Sequence, residues 1–340
     1  MKLDPGDANP HSNLGILFHK QGKLDDAAAE LRKAMELNPK LAAAHDALGG
    51  VLTDQSKLDD AAIEARKAIE LDPSFALARS NLGQILLNQG KPDEATVEVR
   101  AALALDPNLA IAHSNLGAIL MQQGKLDDAA AETKTAIGLD GKLAVAHSNL
   151  GAILLTQGRL DDAGSEARAA IALDPRLAHG HINLSRILYV RHQFEEALAE
   201  ATLGTELAPA DPLMHATLGA LLRGLGRRED AIAEYRRAIA LDTSEAIYHA
   251  VTGALLSESA QRDEAVAELQ KARELDPKLA DNLFDGAKSL LDQVPHIAST
   301  NLADADTQDA CWLISIARKL ASTDASGTTS SPAFALCSSP

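Results

Sequence analysis

Histidines recur at one position along the chain, and a regular series of imidazoles is a candidate for a metal site or a proton relay. The series advances in steps of 34 residues, is interrupted once by Arg79, and comprises His11, His45, His113, His147, His181, His215 and His249. If each step is a pair of stacked helices, neighbouring histidines lie about two helix diameters apart, roughly 20 Å less what the packing angle saves. Zinc ligands lie about 2 Å from one shared ion. The spacing therefore favours a packing role, with partial sensitivity to pH as the alternative.

Acidic pairs form a second series with chemical potential, because two carboxylates can act as general acid and general base. The pairs are Asp25–Asp26, Asp59–Asp60, Asp127–Asp128, Asp161–Asp162 and Glu195–Glu196. Each precedes an apolar helical pattern, where carboxylates cap a helix and face the positive end of its dipole. We therefore interpret the pairs as structural. The sequence has no phosphate loop, nucleophile elbow or His-Glu-x-x-His motif, so we expect no enzyme, no cofactor and no metal site.

These residues are carried by a repeat of 34 residues, which is marked most clearly by glycine. The marker series is Gly15, Gly49, Gly83, Gly117, Gly151, Ser185, Gly219 and Gly253. A fixed period of this length is typical of a solenoid, in which similar units stack along one direction. Within each unit, two patterns of helical spacing are separated by a turn, often with a glycine such as Gly124, and usually end near a proline such as Pro107. The repeat therefore predicts helix–turn–helix–turn units.

Composition restricts the class of partner. The formal net charge of −16 disfavours nucleic acid. No stretch has the 18 or more apolar residues that a membrane-spanning helix needs. The two cysteines, Cys311 and Cys337, lie outside the repeats and have no zinc-site spacing. These features leave protein and peptide as the expected partners.

The unit resembles the tetratricopeptide repeat (TPR) family. In the third unit the resemblance is carried by Leu82-Gly83, Ala95, Ala102 and Pro107, and in the fourth by Leu116-Gly117, Ala129, Ala136 and Gly141 in place of proline. It covers 8–279, where eight units agree. The resemblance implies an all-α fold, a right-handed superhelical α-solenoid of helix-turn-helix repeats, with the first helix of each unit on the concave face.

The repeats divide the chain into four regions. These are 1–7, a remnant of a preceding repeat; 8–279, eight TPR repeats; 280–295, a C-terminal capping helix; and 296–340, a tail outside the repeats. Leu3 and Pro5 fall one period before Leu37 and Pro39, which indicates a missing upstream repeat. Within the tail, 308–321 has the spacing of an amphipathic helix that either folds back or binds a partner, and the remainder has the composition of a disordered end.

Asparagines recur on the predicted first helices, and we refer to Asn81, Asn115, Asn149 and Asn183 as the asparagine ladder. The ladder resembles the TPR region of O-linked N-acetylglucosamine transferases, where asparagines hold the backbone of an extended peptide. An amide offers both a donor and an acceptor, so it matches a peptide group. The alternative is that asparagine is simply a tolerated polar residue on a solvated helix face. We expect the ladder to line a peptide-binding groove.

The sixth repeat departs from the others, with Ser185, His192 and Gly204 at positions otherwise held mostly by glycine or alanine. The positions that face the ligand in the TPR family hold His179, Asn183, Arg186 and Tyr189, followed by Arg223 in the seventh repeat. Either the packing is relaxed there, or these residues form a local recognition site. In the second case, a bound segment ends, or places an acidic side chain, near Arg186 and Arg223.

The leading hypothesis is a non-enzymatic scaffold that binds an extended peptide or a partner protein in the concave groove. The alternative is the TPR portion of a larger enzyme, such as a glycosyltransferase, whose catalytic domain is absent from this chain. Self-association through the open N-terminal end of the stack is a third expectation. The start shows no signal peptide, which favours the cytoplasm, unless a signal was lost together with the missing repeat.

Overall fold

A computed structural model describes residues 7–257 and 261–279. All regular structure in these ranges is α-helical, in sixteen helices. They are α1 Ala8–Lys20, α2 Leu24–Leu37, α3 Ala42–Asp54, α4 Leu58–Leu71, α5 Ala76–Asn88, α6 Pro92–Leu105, α7 Ala110–Gln122, α8 Leu126–Leu139, α9 Ala144–Thr156, α10 Leu160–Leu173, α11 Ala178–Val190, α12 Phe194–Leu207, α13 Pro212–Gly224, α14 Arg228–Leu241, α15 Ala246–Ser257 and α16 Arg262–Leu275. Odd-numbered helices are the first helices of the eight predicted repeats and even-numbered helices the second. The predicted all-α fold of paired helices is confirmed. The predicted remnant, capping helix and tail lie outside the described residues, apart from Asp7.

The chain divides into two compact units. Unit 1 ends at Leu184 and unit 2 begins at Ser185, so the boundary falls inside α11. In unit 1 the first helices α1, α3, α5, α7 and α9 each pack on the second helix of their own repeat and contact one another in succession. All of them except α1 also pack on the second helix of the preceding repeat. The first helices therefore form the inner layer of unit 1. In unit 2, α13 packs with α12 and α14, and α15 with α14 and α16.

Most turns between the two helices of a repeat depend on a left-handed residue. Gly22, Gly90, Gly124, Gly158 and Gly226 have φ between 72° and 74°. Ser56 and His192 adopt the same region at φ 58° and 59°, although a side chain makes it less favourable. The acidic pairs that follow lie in the first turn of the second helices and do not cap them. The N-cap residues, such as Lys57 and Lys125, make no side-chain capping bond, so the pairs stabilise these helices through the dipole alone.

Small residues let the paired helices approach closely. The alanine of the second helix is fully buried in the first seven repeats, at Ala27, Ala61, Ala95, Ala129, Ala163, Ala197 and Ala231. A Cβ added at Gly117 would overlap Thr133 and lie 3.1 Å from the carbonyl oxygen of Ala129. In the sixth repeat, Ser185 occupies the glycine position and the residue at the position of Thr133 is the small Ala201, both buried.

Candidate functional site

The histidine series joins the two helices within each repeat. Nδ1 of His147 lies 2.6 Å from Oε2 of Glu166, nineteen residues later on the second helix. The same pairing occurs at 2.6–2.7 Å in five further repeats, for His11, His45, His113, His215 and His249 with Glu30, Glu64, Glu132, Glu234 and Glu268. Arg79, which interrupts the series, donates to Glu98 at 3.1 Å, so it replaces the histidine in the same pairing.

The second ring nitrogen of these histidines also has a partner. Nε2 of His45, His113 and His215 lies 3.0–3.2 Å from the backbone carbonyl oxygen six residues earlier. Each of these rings thus links the second helix to the turn that precedes the first helix. The position therefore holds a side-chain clamp between two helices, which is the packing role favoured by the spacing. Within the described ranges, no group of three or more His, Cys, Asp or Glu residues could hold a metal ion.

The asparagine ladder joins neighbouring repeats. Nδ2 of Asn115 donates to Oγ of Ser80 at 3.0 Å and to the Ser80 carbonyl oxygen at 3.1 Å. The same rung forms from Asn149 to Ser114 and from Asn183 to Ser148, with Nδ2–Oγ distances of 3.0 and 3.1 Å. In the remaining rung, Nδ2 of Asn81 donates to Oδ1 of Asp46 at 2.9 Å, because aspartate replaces serine in the second repeat.

The bonds between repeats use only the Nδ2 amino group of each ladder amide. Among the described residues, none donates a hydrogen bond to the Oδ1 oxygen of a ladder asparagine. Exposure differs along the ladder: Asn115 is 3% and Asn183 8% exposed, whereas Asn81 and Asn149 are half-buried. The amide oxygens of the ladder can therefore accept a hydrogen bond, whereas Nδ2 already makes two hydrogen bonds at Asn115, Asn149 and Asn183 and one at Asn81. The donor-and-acceptor role expected from the sequence is thus reduced mainly to that of an acceptor.

A second ladder, which the sequence analysis missed, runs along the turns of unit 1. Nε2 of Gln55 donates to Oδ1 of Asp25 in the preceding repeat at 2.9 Å. Gln89 and Gln157 do the same to Asp59 and Asp127, at 2.8 and 3.0 Å. The period of these glutamines was visible in the sequence. Their pairing with acidic residues thirty positions earlier becomes apparent only when the repeats are stacked.

Arg186 stands out among the predicted site residues because its side chain is exposed and makes no hydrogen bond or salt bridge within the described part of the chain. The surrounding protein nevertheless lowers the pKa of its guanidinium by desolvation. The two observations agree if solvent reaches the side chain from one side while protein crowds it from others. Arg186 lies one turn after Asn183 on α11, and His179 lies one turn before Asn183 and is exposed.

Tyr189 is half-buried and has a packing role in unit 2. Its ring meets Phe194 edge to face at 5.5 Å, and its hydroxyl lies so close to Gly224 that no Cβ could be added there. Arg223 precedes Gly224 at the end of α13. Tyr189 and the backbone beside Arg223 therefore lie close together within unit 2. Because the unit boundary falls between Asn183 and Arg186, the ladder and the Arg186 region belong to separate units.

Comparison with known proteins identifies the repeat. Segments 12–76, 64–96, 144–169 and 214–245 match tetratricopeptide repeat families, and 83–124 matches a family described as TPR repeat. No curated protein matches the chain. Within the described ranges, none of the helices combines the length and apolar character needed to cross a bilayer.

One solved structure contains a chain with the same kind of fold. The chain is similar to one in the crystal structure of the APC/C hetero-tetramer Cut9–Hcn1, with a TM-score of 0.63 and 18% identity over 77% of this chain and 52% of that one. This chain thus spans about half the length of that relative. It also matches the crystal structure of a thermophilic TPR protein in Thermus thermophilus, with 20% identity over 53% of this chain and 98% of that one and a TM-score of 0.49.

Proposed function

Because the chain is a tetratricopeptide repeat protein, a class that typically mediates protein–protein interaction, we propose that it is a non-enzymatic scaffold. The proposed ligand is an extended segment of a partner protein, bound along the first helices. The observation that carries this proposal is the asparagine ladder, whose four amide oxygens recur once per repeat and accept no hydrogen bond among the described residues. The proposed binding residues also include His179, Arg186, Tyr189 and Arg223.

The ladder supports a specific mode of recognition. Because each Nδ2 is held by the neighbouring repeat, the amide oxygen has a fixed position and loses little side-chain entropy when a ligand binds. An acceptor requires a donor, and an extended polypeptide supplies backbone N–H groups at regular intervals. The ligand is therefore expected to offer N–H groups to the ladder, so a proline at a contacting position prevents the bond.

The test uses arrays of random twelve-residue peptides to find ligands, followed by fluorescence anisotropy on those that bind. Asn149→Ala removes one acceptor and is expected to weaken binding about fivefold, the value of one net hydrogen bond. N-methylation of the contacting peptide N–H is expected to give a similar loss.

Two control variants separate binding from folding. Ser114→Ala removes the hydroxyl that holds the Asn149 amide but leaves the Asn149 oxygen present, so the loss of affinity should be smaller than that of Asn149→Ala. Arg168→Ala alters an exposed residue of the second helix α10 and should have no effect. If Arg168→Ala weakens binding while Asn149→Ala does not, the outer surface is the binding face. Equal losses for Asn149→Ala and Ser114→Ala would show that the ladder acts only through stability.

A further inference from the structure

The first helices of the third, fourth and fifth repeats share one uncharged face. Residues at i, i+4, i+7 and i+11 lie on one side of a helix, and on α5, α7 and α9 the second of these positions is a ladder asparagine. We call the residues at these positions the inner stripe. They are Leu77, Asn81, Gln84 and Asn88 on α5, Ile111, Asn115, Ala118 and Gln122 on α7, and Val145, Asn149, Ala152 and Thr156 on α9. All are exposed or half-buried except Asn115, and none carries a charge.

The charges of unit 1 lie outside the inner stripe. The helices α5, α7 and α9 contain no Asp, Glu or Lys. Their basic side chains, Arg79, His113 and His147, lie 2.6–3.1 Å from glutamates of the second helices. On α1 and α3 the last of the four positions holds the exposed Lys20 and Asp54, so the uncharged face is confined to repeats three to five. A charged ligand side chain finds no counter-ion on this face and loses hydration there.

The two sides of the asparagine ladder differ within the inner stripe. One side is an aliphatic row, formed by Leu77, Ile111 and Val145, and the other begins with Gln84, Ala118 and Ala152. In an extended polypeptide, successive side chains point to opposite sides, and the N–H groups lie at right angles to them. When N–H groups face the ladder oxygens, every second side chain therefore points to the aliphatic row.

We infer that the inner stripe takes an extended segment that is uncharged where it contacts α5, α7 and α9 and has an apolar side chain at every second position. The inference rests on the proposed function, since it specifies the ligand chemistry of the ladder groove. Burial of apolar surface favours this ligand, and the aliphatic row has surface left to bury, because Leu77 is 37% exposed. Since no charge is neutralised in the contact, binding should be nearly independent of salt.

Peptides selected by the wild-type protein from random twelve-residue arrays test the inference. We expect Leu, Ile, Val or Met at alternate positions of one stretch, without Asp, Glu, Lys or Arg in that stretch. Replacing one of these apolar residues by Asp or by Lys should weaken binding about tenfold or more, whichever the sign of the charge. The same replacements outside the stretch should have little effect. Raising the salt from about 0.05 M to about 0.5 M should change affinity less than about twofold.

Two equal substitutions in unit 1 give a matched pair of variants. Val145→Glu places a charge on the inner stripe, and Val97→Glu places one on the second helix α6, where Val97 is 65% exposed. The first should lower affinity about tenfold or more and the second should leave it unchanged. Val145→Glu should also bind a peptide with Lys in place of one alternating apolar residue more tightly than wild type does. A folding defect cannot produce that gain.

The outcomes separate this inference from the proposed function. If peptides bind and depend on Asn149 but carry charges along the contacting stretch, or lose affinity steeply with salt, the uncharged ligand is wrong and the proposed function stands. If Val145→Glu and Val97→Glu have equal effects and the Lys peptide gains nothing, the aliphatic row is not part of the contact. If the wild type selects no peptide, the proposed function fails and this inference fails with it.

Discussion

Units 1 and 2 are built from the same repeat but hold neighbouring repeats together by different means. In unit 1, side-chain hydrogen bonds cross from repeat to repeat in two ladders, asparagine to serine or aspartate and glutamine to aspartate. In unit 2 the positions of the asparagine ladder hold Thr217 and Val251, and the turn positions of the glutamine ladder hold Arg191 and Leu225. The clamps between helices of one repeat occur in both units, as His147–Glu166 and His215–Glu234 show.

This comparison distinguishes two structural roles of side-chain bonds, one within a repeat and one between repeats. Bonds inside a repeat define the helix pair, and both units keep them. Bonds between repeats fix how one pair is placed on the next, because a hydrogen bond is directional. In unit 1 such bonds recur along two ladders, whereas in unit 2 Arg236 of α14 donates to Glu264 of α16 outside either ladder. Unit 1 therefore has a defined register along the asparagine ladder, which suits a ligand whose own groups recur regularly. In unit 2 the residues unlike the repeat, such as Arg186 and Tyr189, are individual and not periodic, which suits recognition of a single feature.

The largest expected effect tests the close approach of paired helices, which the fourth repeat in unit 1 and the sixth repeat in unit 2 accommodate in different ways. Gly117→Ser in unit 1 introduces a side chain against Thr133 and should lower the free energy of unfolding by up to about 3 kcal/mol. Unit 2 accommodates Ser185 where the facing residue is the smaller Ala201. The double variant Gly117→Ser, Thr133→Ala reproduces that combination and should recover most of the loss. Hydrogen exchange of α7 and α8 measures the change, and a double variant no more stable than the single one contradicts the explanation.

A smaller effect is expected from the rung between repeats. Asn115→Ala leaves the buried hydroxyl of Ser80 without the Asn115 amide and should cost about 1–2 kcal/mol. Thr217→Ala at the same position in unit 2 is the matched control and should change stability little, because Thr217 is half-buried and its shorter side chain carries no amide to form the rung. The comparison is made by local hydrogen exchange, since a repeat array does not unfold as one unit. Equal costs at the two positions would contradict the difference between the units.

The sequence was sufficient for the repeat, the paired helices and their turns, because these depend on features that recur in every unit. Gly117, Ala129 and Leu116 are constrained by contacts within one repeat, so their periods carry the fold directly. The rungs depend on the offset between neighbouring repeats, which places Asn115 beside Ser80 rather than beside another asparagine. Sequence periodicity identifies both residues but not their pairing. The desolvation of Arg186 is harder still to foresee, because it results from the surrounding protein and not from any repeated pattern.

The smallest effect concerns the one rung that uses a carboxylate, and it depends on pH. Asp46 is 7% exposed, and burial raises the pKa of its carboxyl, an effect only partly opposed by the hydrogen bond from Asn81. A raised pKa in the folded state means that folding favours the protonated form, so stability is lost as pH rises through that pKa.

Asp46→Ser restores the serine of the other rungs, and its hydroxyl can still accept from Asn81. The variant should therefore unfold at a higher temperature than wild type at pH 7, and the difference should shrink as pH falls through the range where carboxyl groups titrate. Ser114→Asp, the reverse change in the fourth repeat, should destabilise at pH 7 and less so in acid. A constant difference across that pH range would show that the carboxylate at this rung is not held out of water, and that unit 1 has one kind of rung rather than two.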